Sequence, residues 1–385
     1  MLAGGAAAAF GAPPQPHSPF VYIGSYSNPL GPEGSKGNGP GITLFEMDPA
    51  TGALSRRAVF ASDANPSWLA WNREGTVLYS ANELPEGSVT AWSADRTTGS
   101  LTALGTAASG GAGPCHVSVH PSGKWVFAAN YHGGATSVLP VKADGRPGAA
   151  TDVFHHAGTP GPARASSAPP GSFAISGHDK PHSHMVEPDP SGRFVLAADL
   201  GLDRILIWRL DDERGKLVPH TPPYFPLPPG DGPRHFLFHP NGRWFYSLQE
   251  EASTLLLCDW DPSSGRLTPR QTLSTLPEGF AGTNFTSEVR LSPDARFLYA
   301  ANRLHDSIAW FSIGSDGRLT LAGEAWTRGD YPRSFTIDPS GEFLYSCNQR
   351  SDAVACFRVD RRSGTLSFTG RYTPAGTPAI VIFAR

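Results

Sequence analysis

The chain has no run of about 18 or more apolar residues, so no segment is long enough to cross a bilayer as a helix. It has no excess of positive charge: 31 lysines and arginines face 34 acidic residues, for a net charge of -3, which offers no basic face to nucleic acid. Only 17% of residues are charged, and few windows show the period of an amphipathic helix. The four cysteines, Cys115, Cys258, Cys347 and Cys356, lack any C-x-x-C spacing. Three of them fall inside apolar strand runs, so free buried thiols are expected rather than a disulfide framework. The Gly-rich stretch Asn28–Gly41 lacks G-x-x-x-x-G-K-[ST] and reads as a flexible loop, not a phosphate cradle. G-x-S-x-G is also absent, which disfavours a serine acyl-enzyme.

Glycine (43) and proline (37) are abundant and spread evenly, as many turns require. One unit recurs: a turn residue and Pro, a short apolar strand, a Pro/Asp-x-Gly turn, and an aromatic-rich strand ending in Ala-Asn or similar. It appears at Asn65–Asn82, Gly113–Asn130, His182–Asp199, Gly232–Glu250, Ser287–Asn302 and Tyr331–Asn348. Each is followed by a third strand and a D-x-x-x-G-x-L turn, beginning at Asp48, Asp95, Asp212, Asp261 and Asp360, with looser forms at Ala143–Gly145 and Ser315–Gly317. The seventh unit is split. Thr377–Phe383 is a first strand without a second, and Phe20–Tyr26 a second without a first. A four-stranded repeat of about 45–50 residues predicts an all-β, seven-bladed propeller, its ring closed by N- and C-terminal strands in one blade over residues 20–385. Residues 1–19 read as a disordered tail or the remnant of an export signal. No Lys or Arg precedes their apolar run, which favours a cytoplasmic chain unless a basic segment is missing from the start.

In a propeller, the turn entering each first strand and the turn leaving each second strand project from one face. The entering positions hold Trp68, His116, His182, His184, Arg234, His235, Glu288 and Arg333; the leaving positions hold Glu83, Asn130, His132, Asp199, Glu250, Arg303 and Gln349. Imidazole, guanidinium and carboxylate gathered at one mouth predict a polar pocket for an anionic, oxygen-rich ligand. The pair Arg234 and Glu250 enters and leaves one hairpin and should meet at its edge. Glu251 should point the other way and be solvated, and Asp199 should pair with Arg204 or contact ligand. Asn130 and Asn302 have a structural alternative, tying down turns. His182 and His184, two apart on a strand, should share a face. That geometry could ligate a metal, but no third soft ligand accompanies it, so neither metal nor cofactor is expected. The insertion His155–Lys180, just before His182, is a lid or a surface loop.

The strings GPRHFLFHPNG, ANYHGG, PHSHMVEPDPSGRFVLAADLGLDR and YPRSFTIDPSG resemble the lactonase family of seven-bladed propellers, from about Val21 to Phe383. That family includes 6-phosphogluconolactonases and the fungal carboxy-muconate cyclases. The resemblance implies a hydrolase opening a sugar-acid lactone, with catalytic roles at His184, Arg234, Glu250 and Arg303. Substrate contacts are then expected from His116, Asn130, His132, His182, His235, Glu288 and Arg333. The implied partner is a small anionic lactone, the implied assembly a monomer or weak homo-oligomer, and the base Glu250 or His184. A muconate-type lactonizing enzyme and a non-catalytic binding platform are the alternatives. Three residues depart from the family pattern: Glu251 for Leu, Leu304 for Gly, and Ala295 for a turn Gly.

Overall fold

The computed structural model describes residues 19–32, 35–172 and 177–385. The tail and the export-signal reading of residues 1–18 lie outside the described residues, as do short parts of the Asn28–Gly41 loop and the His155–Lys180 insertion. Seven four-stranded antiparallel sheets form the molecule, each in simple meander order. The Arg234 blade runs Pro233–Phe238, Trp244–Gln249, Thr254–Asp261 and Arg266–Ser274. Its counterparts repeat that pattern, and the innermost strands touch one another in succession around the ring. The ring closes as the split repeat requires. Pro378–Phe383 pairs with Phe20–Ser25, in register Val21 to Phe383, ahead of Gly41–Met47 and Leu54–Ala61. Pairing both termini inside one sheet removes edges that would otherwise be open to other chains.

Large apolar side chains fill the spaces between blades. Phe236, Phe245 and Trp260 pack with Phe194, Leu196 and Ile207 of the preceding blade, and Phe238 lies partly buried against them. All four cysteines are free and buried.

The D-x-x-x-G turns each join the third and fourth strands of one blade and dock on a neighbouring blade. The aspartate accepts backbone N–H groups within its own turn, as Asp48 does from Ala50 and Thr51. The glycine, at positive φ, presents its carbonyl to the next sheet. Tyr22, Tyr79, Tyr246, Tyr299 and Tyr345, at the third position of their second strands, donate to Gly99, Gly145, Gly317, Gly364 and Gly52 at 2.8–2.9 Å. A side chain on that glycine would collide with the neighbour: a Cβ at Gly317 would lie 2.5 Å from the Trp244 ring. In one blade the turn starts a residue earlier than expected. Asp211, not Asp212, accepts from Glu213 and Arg214, while Asp212 crosses to Lys124 and to the Trp125 indole.

Ala295, where a turn glycine is usual, sits at φ 53, a left-handed conformation that costs an L-residue about 1–2 kcal/mol. Ala295→Gly is expected to raise stability by about 1 kcal/mol in urea denaturation. Tyr246→Phe should lower it by about 1–3 kcal/mol by orphaning the buried Gly317 carbonyl.

Candidate active site

In all seven blades the innermost strand carries one extra residue where it enters the sheet. The pairing skips from Pro66 to Trp68, Pro114 to His116, Ser183 to Met185, Pro233 to His235, Thr286 to Val289 and Pro332 to Ser334, with the same irregularity at Gly24/Ser25 of the closing blade. Such a bulge re-aims the side chain it carries. The residues at these positions include His184, Arg234, Glu288 and Arg333. At His184 the bulge interrupts the simple alternation expected to set His182 and His184 on one face, yet both rings meet Tyr131. His182 stacks on Tyr131 at 4.3 Å, while the His184 ring stands edge-on to Tyr131 at 5.5 Å and to His235 at 5.1 Å.

Arg234 and Glu250 meet where the hairpin geometry brings them, with Nε 2.9 Å from Oε2, and the other carboxylate oxygen lies 2.7 Å from Nη2 of Arg303. Both contacts are ion pairs with poor hydrogen-bond alignment, since Arg234 Nε and Arg303 Nη2 point off line. Arg234 donates through Nη1 to the Ser287 carbonyl, and Arg303 Nη1 lies 3.2 Å from the Tyr331 hydroxyl. A second, looser pair stands nearby: Arg333 Nη2 is 3.7 Å from Glu83 Oε2, which also accepts from Tyr26 at 2.9 Å and Ser67 at 2.5 Å. These five charged side chains are at most 12% exposed. Three guanidiniums therefore face two carboxylates, leaving one positive charge to be balanced.

Under this layer lies a set of rings. Trp68 packs on His116 at 4.6 Å and on His235 at 5.0 Å. His235 Nδ1 is 3.3 Å from Glu288 Oε1, and its Nε2 is 3.4 Å from Arg234 Nη1. Those contacts suit a neutral ring that donates to the carboxylate and accepts from the arginine. Burial first, and then the Arg234 charge, push His235 down to about 4 despite the opposing pull of Glu288. Burial followed by the charges of Arg234, His235 and Arg333 hold His184 well below the usual imidazole range; burial followed by His235 does the same to His116. The Nδ1 atoms of His184 and His116 are buried without a hydrogen-bond partner. Arg234, pushed down by burial and by Arg303, keeps a value of about 10 and stays cationic at neutral pH.

The remaining expected contacts are placed less centrally. The Asn130 amide is taken by Ser137 at 2.8 Å. His182 uses both ring nitrogens, on the Tyr131 carbonyl at 3.0 Å and on Asp179 at 2.7 Å. His132 is exposed beside Tyr131. Asp199 does not pair with Arg204; it takes His156 Nδ1 at 2.6 Å and the backbone N–H of His182 and Leu202, while Arg204 lies over Tyr224. Glu251 is buried, not solvated, and sits 2.9 Å from His178. Among the described residues, no three His, Cys, Asp or Glu side chains converge as a metal site. Tyr131, Tyr331 and Tyr26 join the group without a motif to announce them. Glu83 had a usable signal, since it leaves its second strand at the same repeat position as Glu250.

A wide cavity lies elsewhere. About 800 Å³ opens from the turn end of the channel, lined by Trp71, Arg73, Glu187, Arg290 and Arg385, and stops against the Trp68, His116 and Glu288 layer. On its wall Arg290 Nε lies 3.4 Å from Glu288 Oε1.

This arrangement matches a known lineage. A family model described as a lactonase, seven-bladed beta-propeller, covers residues 20–383, and the chain belongs to that family of lactone-hydrolysing enzymes. It is 34% identical over 316 residues to the 6-phosphogluconolactonase of Bacillus subtilis, covering 82% of this chain and 83% of that one. Identity to the 6-phosphogluconolactonase of Pectobacterium carotovorum is 32% over 281 residues, 73% of this chain and 77% of the relative. The periplasmic gluconolactonase of Pseudomonas aeruginosa superposes with a TM-score of 0.85 at 28% identity, over 95% of this chain and 99% of the other.

The electrostatics give a direct check. The His184 ring should stay neutral as the pH falls through the ordinary imidazole value, so its carbon-bound proton shifts should be flat there. A midpoint near the ordinary value of about 6.5 would contradict the burial argument.

Proposed function

We propose that the protein hydrolyses a sugar-acid lactone, 6-phosphogluconolactone to 6-phosphogluconate, with His184 as general base and Arg234 as oxyanion donor. The observation carrying this reading is the buried Arg234–Glu250–Arg303 array beside a neutral imidazole with an unpartnered nitrogen. The His184 imidazole takes a proton from water as the water oxygen bonds to the lactone carbonyl carbon. The carbonyl oxygen becomes an oxyanion beside the Arg234 guanidinium. When the ring C–O bond breaks, the imidazolium returns its proton to the departing alkoxide, leaving an open hydroxy acid whose carboxyl then ionises.

Burial disfavours an imidazolium in the resting site, and the developing oxyanion offsets that penalty only in the transition state. Such differential stabilisation is what lowers a barrier. Both oxygens of Glu250 are already engaged by guanidiniums, so its role here is to aim Arg234 and Arg303 rather than to take a proton. Arg303 and Arg333 then bind the anionic group of the substrate through forked hydrogen bonds. The uncompensated positive charge of the five-residue set matches an anionic lactone. Two relatives, from Bacillus subtilis and Pectobacterium carotovorum, bear the name 6-phosphogluconolactonase, which supports a phosphorylated substrate. A preference for the unphosphorylated lactone would fit an exported enzyme, as in the Pseudomonas relative.

Acid release from gluconolactone, with and without a 6-phosphate, tests the assignment. Arg234→Ala is expected to lower kcat by about 10²–10³-fold, the effect of deleting one oxyanion donor, and His184→Ala by about 10²–10⁴-fold. Glu250→Gln should lower it at least about tenfold, as the two guanidiniums lose their shared anchor. Unchanged rates in folded Arg234→Ala and His184→Ala would overturn the assignment.

A further inference from the structure

Glu251 and the insertion were not expected to touch, and their contact points beyond the residues already placed in the site. The side chain of His178, near the end of the insertion, is fully buried between two carboxylates: Nε2 lies 3.0 Å from Asp203 Oδ1 and Nδ1 lies 2.9 Å from Glu251 Oε2. Each carboxylate is tied to one arm of the catalytic hairpin. Asp203 accepts the backbone N–H of Gly230 at 2.7 Å and of Gly232 at 2.8 Å, which fixes the turn two residues before Arg234. Glu251 directly follows Glu250 and has its own N–H on the Asp231 carbonyl. One imidazole thus spans from the approach to Arg234 to the exit from Glu250.

We infer that His178 is a positioning residue for the proposed reaction: as an imidazolium donating to both Asp203 and Glu251, it sets the separation and angle of the Arg234–Glu250 pair. The inference rests on the assignment of Arg234 and Glu250 to lactone hydrolysis. Both ring nitrogens face carboxylate oxygens, so only the doubly protonated ring satisfies both contacts. Burial opposes that charge, but the hydrogen bonds and charges of Asp203 and Glu251 outweigh it and lift His178 to about 10. Asp231, hydrogen-bonded to Ser167 of the insertion at 2.9 Å, adds a third carboxyl to the same surroundings and is itself pushed up to about 6, first by burial. A neutral ring would leave one buried carboxylate facing a lone pair. Through His178 and Ser167 the insertion is therefore coupled to the catalytic pair. His178 has no counterpart in the pooled mouth positions, because it lies outside the repeat.

Kinetics of the full chain on gluconolactone, with folding followed by thermal melting, separate positioning from bulk stabilisation. His178→Gln keeps one donor but loses the charge and the second contact. It should lower kcat per folded protein by about ten- to a hundred-fold, the range expected for sub-ångström to ångström misplacement, with KM changed less than about threefold. Glu251→Gln keeps the Asp203 half of the clamp and serves if His178→Gln does not fold; kcat should again fall, and KM hold. His178→Lys, which retains a cation with several donors, should recover part of the lost kcat. Wild-type kcat in folded His178→Gln or Glu251→Gln, or a loss in KM alone, overturns the inference. Arg234→Ala run in parallel distinguishes the two levels. If it is inactive while His178→Gln is normal, only the positioning role fails; if it too is normal, the catalytic assignment fails.

Discussion

One extra residue at the start of each innermost strand governs what the ring can present at its mouth. Regular alternation would send successive side chains to opposite faces, into the two interblade packing layers. The bulge interrupts that alternation where the chain enters the sheet and turns His184, Arg234 and Arg333 out of the packing. Because the blades are related by rotation about the channel, residues far apart in sequence converge. His184 and Arg333 are separated by about 150 positions, yet Arg333 is among the charges that depress His184. The same repetition that makes the fold predictable also makes the site compact.

Holding several charges out of water is costly, and a buried ion pair is weak evidence for stability. The Arg234–Glu250–Arg303 array is better understood as an electrostatic field set in advance, its cost met by the interblade packing and the tyrosine–glycine bonds that hold the sheets at fixed spacing. In such surroundings a histidine stays neutral and a guanidinium stays charged, and neither has to reorganise when negative charge develops on a substrate. The ring layer of Trp68, His116 and His235 separates this field from the wide cavity at the turn end.

The seven-fold repeat, the split closing blade and the meeting of Arg234 with Glu250 were legible in the sequence because they follow from strand spacing and turn chemistry alone. The bulge that carries His184 was not, since it leaves no mark in the alternation pattern of six residues. Glu251 misled for a related reason. Its position after the strand end suggested solvent, but burial there is decided by His178, which comes from an insertion without periodicity. Asp199 was expected to pair with Arg204 five residues on or to contact ligand, whereas its partner His156 comes from the preceding blade. Local pattern thus predicts backbone neighbours well, while side-chain partners across blades depend on loops that carry no repeat.

The charged mouth and the turn-end cavity are two rival seats for the substrate. A crystal structure with the open acid, gluconate or its 6-phosphate, bound to the protein decides between them. The account predicts the carboxylate against Arg234, close to His184, with the distal anionic group toward Arg303 and Arg333. A ligand seated instead among Arg73, Glu187 and Arg290, below the ring layer, would contradict it.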